Sequence, residues 1–189
     1  MRWRATIAAL ALTTALAGCG GSDHKSSKIG GNTTGTTSPT EGVPATPPAP
    51  SGDLGYLTVD VQRAGFESLA AGIARARASS AAVRSFAARM LRERPRAGNE
   101  DAAAAAQLKL KIKPKLPSAA ERDALRKLVP LTGARFDAAY LALERANLAG
   151  DVSRATTASA KARAAKARSV LSKHVALYRA ELDAARSAR

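Results

Sequence analysis

Beyond residue 53 the apolar positions recur in threes and fours. Phe66, Leu69, Ile73 and Ala76 keep that spacing and place a first helix over Leu54 to Ser79. A second begins near Ala81 and turns Val83, Phe86, Ala87, Met90 and Leu91 inward. Pro95 lacks an amide proton and clashes with the preceding turn, so a kink or short break is expected there, with helix again through "NEDAAAAAQLKL". "KIKPKLP" ends this hairpin, since two prolines in four residues do not fit a regular helix. Ser118 and Glu121 in "SAAE" have the spacing of a capping box and start a short helix that stops near Pro130. The next helix spans about Gly133 to Ala149 with Phe136, Tyr140, Leu143 and Asn147 on one face. Gly150 and Asp151 read as a stop followed by a fresh start. The last helix covers Val152 to about Ser187 along the seam Ala160, Ala164, Ala167, Leu171, Val175, Tyr178, Leu182 and Ala185. His174 lies beside that seam.

Alanine dominates and Gly and Pro are sparse in this part, so helix is favoured nearly everywhere. Four main helices and one short one predict an all-α fold, an up-and-down four-helix bundle with an extra short helix. An extended array of helical hairpins is the alternative, because the interior is rich in Ala and aromatics are only 4%.

The N-terminal part follows a different pattern. "MRWRATIAALALTTALAGC" has a charged start, a short apolar middle and small residues before Cys19, the parts of a secretory signal. Its apolar run falls short of the ~20 residues that span a bilayer. "LAGC" resembles a bacterial lipobox, which implies cleavage after residue 18 and acylation of Cys19 on sulfur, with palmitate-type chains. Cys19 is the only cysteine, which rules out an intramolecular disulfide and a cysteine-based metal cluster. Residues 19–52 are rich in Gly, Ser, Thr and Pro and read as a disordered tether. His24, within it, is read as solvated. The organisation expected is a signal peptide over 1–18, a tether over 19–52 and a helical domain over 53–189.

Charge adds a preference for partners. The chain holds 30 Lys+Arg against 15 Asp+Glu. Setting aside Arg2, Arg4, Lys25 and Lys28, and Asp23 and Glu41, leaves 26 against 13 in the helical domain. Such a surface suits anionic lipid or a cell-wall polymer. "RATTASAKARAAKARS" looks like the tails of nucleic-acid-binding proteins, but no stacking or base-reading side chains accompany it, and no nucleic-acid partner is expected.

The motifs "GFESLAAG", "VRSFAARM", "LP", "GARFDAAY" and "VLSKH", spread from Phe66 to Leu182, resemble the bacterial domain-of-unknown-function 4142 family. The resemblance implies a ferritin-like bundle in an exported protein. It also implies a glutamate in the first helix, met by Glu67, and a histidine in the last, met by His174. An Asp-His pair after the second motif is met by Glu93 and Arg94, and a further histidine position holds Leu148. Most of the family's imidazoles are therefore gone.

The remaining candidate ligands are Glu67, Glu93, Asp137, Glu144 and His174. Together they would make an oxygen-rich site with one imidazole, a donor set for a divalent ion. Ferritin-like sites use Glu-x-x-His pairs, and none occurs here. Arg94, Arg89 and Arg135 are available to pair the carboxylates instead, and Asp137 suits a helix start. No metal or other cofactor is expected, and no nucleophile, phosphate loop or base suggests an enzyme. The function expected is a lipid-anchored envelope protein, exported and facing outside the cytoplasm, in a structural or interaction role. The alternative is a ferritin-like metal binder in ion storage or redox protection.

Overall fold

The computed structural model describes residues 52–113 and 115–188. The expectations for the leader, for Cys19 and for the tether up to residue 51 lie outside the described residues. Five helices make up the fold: α1 (Gly52–Arg77), α2 (Ala81–Gln107), α3 (Ala119–Leu128), α4 (Gly133–Lys161) and α5 (Ala165–Ser187). No strand occurs among the described residues.

Two antiparallel hairpins, α1–α2 and α4–α5, pack into a four-helix bundle. The crossover between them, residues 108–132, carries α3 and runs the length of the bundle, so α4 points the same way as α2. One long crossover of this kind is the ferritin-like connection. At one end Asp137 of α4 meets the α1–α2 turn, its carboxylate accepting from the amides of Ser79 (3.0 Å) and Ser80 (2.8 Å). At the other end Asp53 of α1 accepts from the amides of Arg163 and Ala164 in the α4–α5 turn, both at 2.9 Å.

The helix ends have local causes. Ser118 and Glu121 form the expected reciprocal capping box at α3. α2 ends in a Schellman turn, with Leu110 N donating to Ala105 O, Lys109 N to Ala106 O, and Lys109 left-handed at φ 56°. Glycine matters most at Gly98, where a Cβ would stand 3.0 Å from that of Ala64 and hold α1 and α2 apart.

Two expectations are corrected. α2 runs unbroken through Pro95. The proline faces solvent while its neighbours Arg94 and Ala97 are buried, so packing on one side holds a turn that is short of one hydrogen bond. α4 likewise continues through Gly150 and Asp151 to Lys161. Asp151 is buried in ion pairs rather than starting a helix; the last helix begins at Ala165 instead of Val152, and the break falls at 162–164, where the carboxylate of the distant Asp53 accepts from the amides of Arg163 and Ala164.

Apolar packing is split. One cluster gathers Val83, Phe86, Met90, Phe136, Tyr140 and Leu148 with alanines of α1, and a second joins Tyr56, Leu57, Val170 and Leu171 through Ala104, Ala105, Ala158 and Ala167. The first-helix stripe is shifted from expectation. Phe66 is buried, but Leu69 is 52% exposed and Ala76 faces solvent, because Asp60 and Glu67 occupy inward positions.

Candidate functional site

Between the apolar clusters lies a layer of charged side chains, each long helix contributing two residues seven apart. These are Asp60 and Glu67 from α1, Arg94 and Asp101 from α2, Glu144 and Asp151 from α4, and His174 and Glu181 from α5, all buried. Seven residues are two helical turns, about 10 Å along the axis, so each pair shares one face. They sort into two neighbouring groups.

The first group closes around Arg94, whose side chain is fully buried. Its Nε lies 2.7 Å from Glu67 Oε2, Nη1 3.2 Å from Asp151 Oδ2 and Nη2 2.8 Å from Glu181 Oε2. The guanidinium also stacks 4.2 Å from the centre of the Tyr178 ring. Arg63 adds contacts to Glu67 (3.0 Å), Asp151 (3.2 Å) and Glu121 of α3 (3.2 Å). Arg154 binds Asp151 at 2.6 Å. Burial works against the charge on Arg94, but Glu67, Asp151 and Glu181 outweigh it and hold the guanidinium protonated. Burial also opposes ionisation of Asp151, yet Arg63, Arg154 and Arg94 hold it well below the usual carboxylate range. Glu67, facing Asp151, is pushed up by burial against the pull of Arg94, so of these two carboxyl groups Asp151 is the ionised partner. Burial lifts Glu181 to about 7 and Glu144 to about 8. Among the described residues neither oxygen of Glu144 has a hydrogen-bond partner, nor does the Tyr140 hydroxyl one turn away.

The second group is Asp60, Asp101 and His174. The His174 Nδ1 lies 3.4 Å from Asp101 Oδ1 and 3.8 Å from Asp60 Oδ2. Its Nε2 faces Glu100 Oε2 at 3.7 Å, and Lys173 holds that same oxygen at 2.7 Å. Asp60 is anchored by Arg154, both of whose contacts to Oδ1 are 3.3 Å, and by the Tyr178 hydroxyl, which donates to Oδ2 at 3.4 Å. Asp101 has no such support, and burial, with Asp60 and Glu100 nearby, pushes its carboxyl up to about 9. Both oxygens of Asp101 and both ring nitrogens of His174 lack a hydrogen-bond partner among the described residues.

The candidates read from sequence therefore separate. Glu67 and Glu144 line the arginine-centred group, and His174 belongs to the other. Glu93 is half-buried and pairs with Arg89 at 2.8 Å, making no ion pair with either group and acting on the first only through its repulsion of Glu181. Asp137 serves the start of α2 rather than its own helix. Burial opposes its charge, but the Ser79 hydroxyl and the Ser80 and Ser79 amides prevail and hold it below the ordinary range. Glu67, Glu93, Glu144 and His174 do not converge on one ligand sphere. Sequence reasoning missed Asp60, Asp101, Asp151 and Glu181, and the signal that finds them is the sevenfold spacing repeated in all four long helices.

Among proteins of known identity, no curated protein matches the chain, and no solved structure does. The model of the domain of unknown function DUF4142 matches residues 38–188. With most of its length matched, including the whole helical bundle, this chain belongs to the DUF4142 family.

Proposed function

We propose that this protein is a non-catalytic envelope lipoprotein, anchored through Cys19, whose bundle rests its tether end on an anionic lipid surface. The observation that carries this reading is the distribution of charge. Seven acidic side chains, Asp60, Glu67, Asp101, Asp137, Glu144, Asp151 and Glu181, are buried, against one buried arginine. The outer surface is therefore more basic than the composition suggests.

The end of the bundle where the tether joins, at Gly52, brings together the α2 C-terminus and the α4–α5 turn. It exposes Lys109, Lys111, Lys161, Arg163, Lys166 and Arg168. The local acid Asp53 is engaged by the amides of Arg163 and Ala164. A shallow groove of about 390 Å³ between Leu54, Leu108, Leu110 and Arg163 opens at the same end. Leu116, 87% exposed beside Lys115, sits on the crossover that leaves it, an apolar group fit for a headgroup boundary. The composition between Cys19 and α1 reads as a tether, and a flexible chain of roughly thirty residues would span about 30 Å, within reach of a membrane surface.

The non-catalytic half of the reading is supported by Arg94, whose guanidinium fills the centre where ferritin-like bundles converge their carboxylates on metal.

Vesicle sedimentation tests the surface. The full chain carrying Cys19→Ser is expected to bind vesicles containing phosphatidylglycerol, with binding lost at high salt and in a Lys161→Glu, Arg163→Glu, Lys166→Glu variant. Equal binding to neutral vesicles, or binding to an anionic wall polymer alone, would contradict the lipid assignment. Labelled palmitate tests the anchor, which Cys19→Ser should abolish.

A further inference from the structure

We propose that Asp60, Asp101 and His174 form a mononuclear site for a divalent transition-metal cation, with His174 Nδ1 and one oxygen of each aspartate as ligands. This goes beyond the envelope role, which requires no metal.

The geometry is that of a ligand set. One donor atom from each residue lies within 4.8 Å of the others, and Nδ1 stands 3.4 and 3.8 Å from its two oxygens. Ligand atoms about 2.1 Å from a shared ion lie about 3–4 Å apart. The three side chains come from three helices, α1, α2 and α5, so their positions are fixed by the bundle rather than by a loop.

The second observation is independent of the spacing. Asp101 and His174 are fully buried, yet four of their polar atoms have no hydrogen-bond partner among the described residues. Buried polar groups are ordinarily satisfied, and a native exception calls for an ion or another partner. The arginines that neutralise Glu67, Asp151 and Glu181 make no ion pair with Asp101, whose one basic neighbour within 4 Å among the described residues is the His174 ring. A cation between Asp101, Asp60 and Nδ1 would satisfy the orphaned acceptors together.

The surroundings are also those of a metal histidine. With Nδ1 on the ion, Nε2 carries the proton and points toward Glu100, 3.7 Å away, the carboxylate–histidine–metal arrangement that orients a ligating ring. Arg154 and the Tyr178 hydroxyl fix Asp60. Glu100 is 27% exposed at its side chain and marks the side from which an ion enters. Two oxygens and one imidazole suit zinc, manganese or ferrous iron, with the remaining positions left to water.

The test uses the full chain in detergent, stripped with chelator and dialysed against Zn(II), Mn(II) or Co(II), with bound metal measured by elemental analysis. One ion per chain is expected. Asp101→Asn and His174→Gln should each weaken binding more than a hundredfold, Glu100→Gln ten- to hundredfold, and Glu93→Gln not at all. Retention of no ion by the wild type, or stoichiometric binding kept by both ligand variants, would overturn the site. Should the ligand variants fail to fold, nitrogen-15 spectra of the wild-type imidazole decide. Co(II) must shift or broaden the buried histidine, and an unchanged signal sinks the proposal.

Discussion

Two groups of buried carboxylates sit side by side in this bundle and are neutralised in opposite ways. Around Arg94 the protein supplies its own cation, a planar guanidinium whose Nε, Nη1 and Nη2 each meet a different carboxylate. Around His174 it supplies only an imidazole, and Asp101 has neither an arginine partner nor a hydrogen bond among the described residues. Arg154 joins the two, touching Asp60 on one side and Asp151 on the other. The contrast shows that one helical bundle can hold buried carboxylates either with a guanidinium at their centre or with an imidazole alone. A guanidinium suits that task because its donors are fixed in direction and its charge persists when buried.

Breaking the closed group should have the largest effect. Arg94→Met fills similar space but strips Glu181 of its ion pair and leaves Glu67 and Asp151 with only Arg63 and Arg154, and is expected to cost about 3–5 kcal/mol in chemical denaturation. Arg94→Lys should recover only part, since an ammonium offers no planar fork to three separate acids.

Glu144 is the buried carboxyl of this group that makes no ion pair with the guanidinium among the described residues. Facing Arg94, Arg63, Asp151, Glu181 and the Tyr140 hydroxyl, it titrates in the folded state at about 8, above the 4.5 of a free glutamate. Its folded value is raised, so ionisation penalises the folded state. The wild type loses stability as pH rises from about 4.5, and the loss levels off above about 8. Glu144→Gln removes this term. The variant should match the wild type near pH 4.5 and exceed it by up to a few kcal/mol at pH 9, read from melting curves across pH.

Away from both groups, Asp53→Ala should cost about 1–2 kcal/mol by leaving the amides of Arg163 and Ala164 in the α4–α5 turn without their acceptor. Hydrogen exchange at the amides of Arg163 and Ala164 should speed up locally while amides near Arg94 keep their protection. The smallest effect belongs to Glu93→Ala. Its partner Arg89 is, like it, about one-third exposed, and the change should stay below about 0.5 kcal/mol.

Much of the scaffold was legible because it follows local rules. The inward face of α2, the capping box of α3 and the C-terminal half of the last helix, from Ala167 to Ala185, read directly from spacing, whereas the start expected at Val152 did not. The tendency of arginines to pair the leftover acids also held, with Arg94 on Glu67 and Arg89 on Glu93. What escaped was every feature set by a distant residue. Gly150 and Asp151 look like punctuation, yet three arginines from three helices hold Asp151 inside α4. The true break at 162–164 contains no glycine or proline and is made by Asp53.

The stripe of α1 was misplaced for a related reason. A reading that follows apolar residues alone selects Leu69 and Ala76, both exposed, and passes over Asp60 and Glu67, both buried. Counting charged residues at sevenfold spacing corrects this. Asp60–Glu67, Arg94–Asp101, Glu144–Asp151 and His174–Glu181 recur with one period in four helices.

The most direct test of the contrast is a crystal of the protein soaked in Mn(II) or Zn(II) and measured at an anomalous wavelength. An anomalous peak between Asp60, Asp101 and His174, with Arg94 still seated among Glu67, Asp151 and Glu181, is the result this account predicts. A peak between Glu67, Glu144 and Asp151, with the guanidinium swung aside, would contradict it.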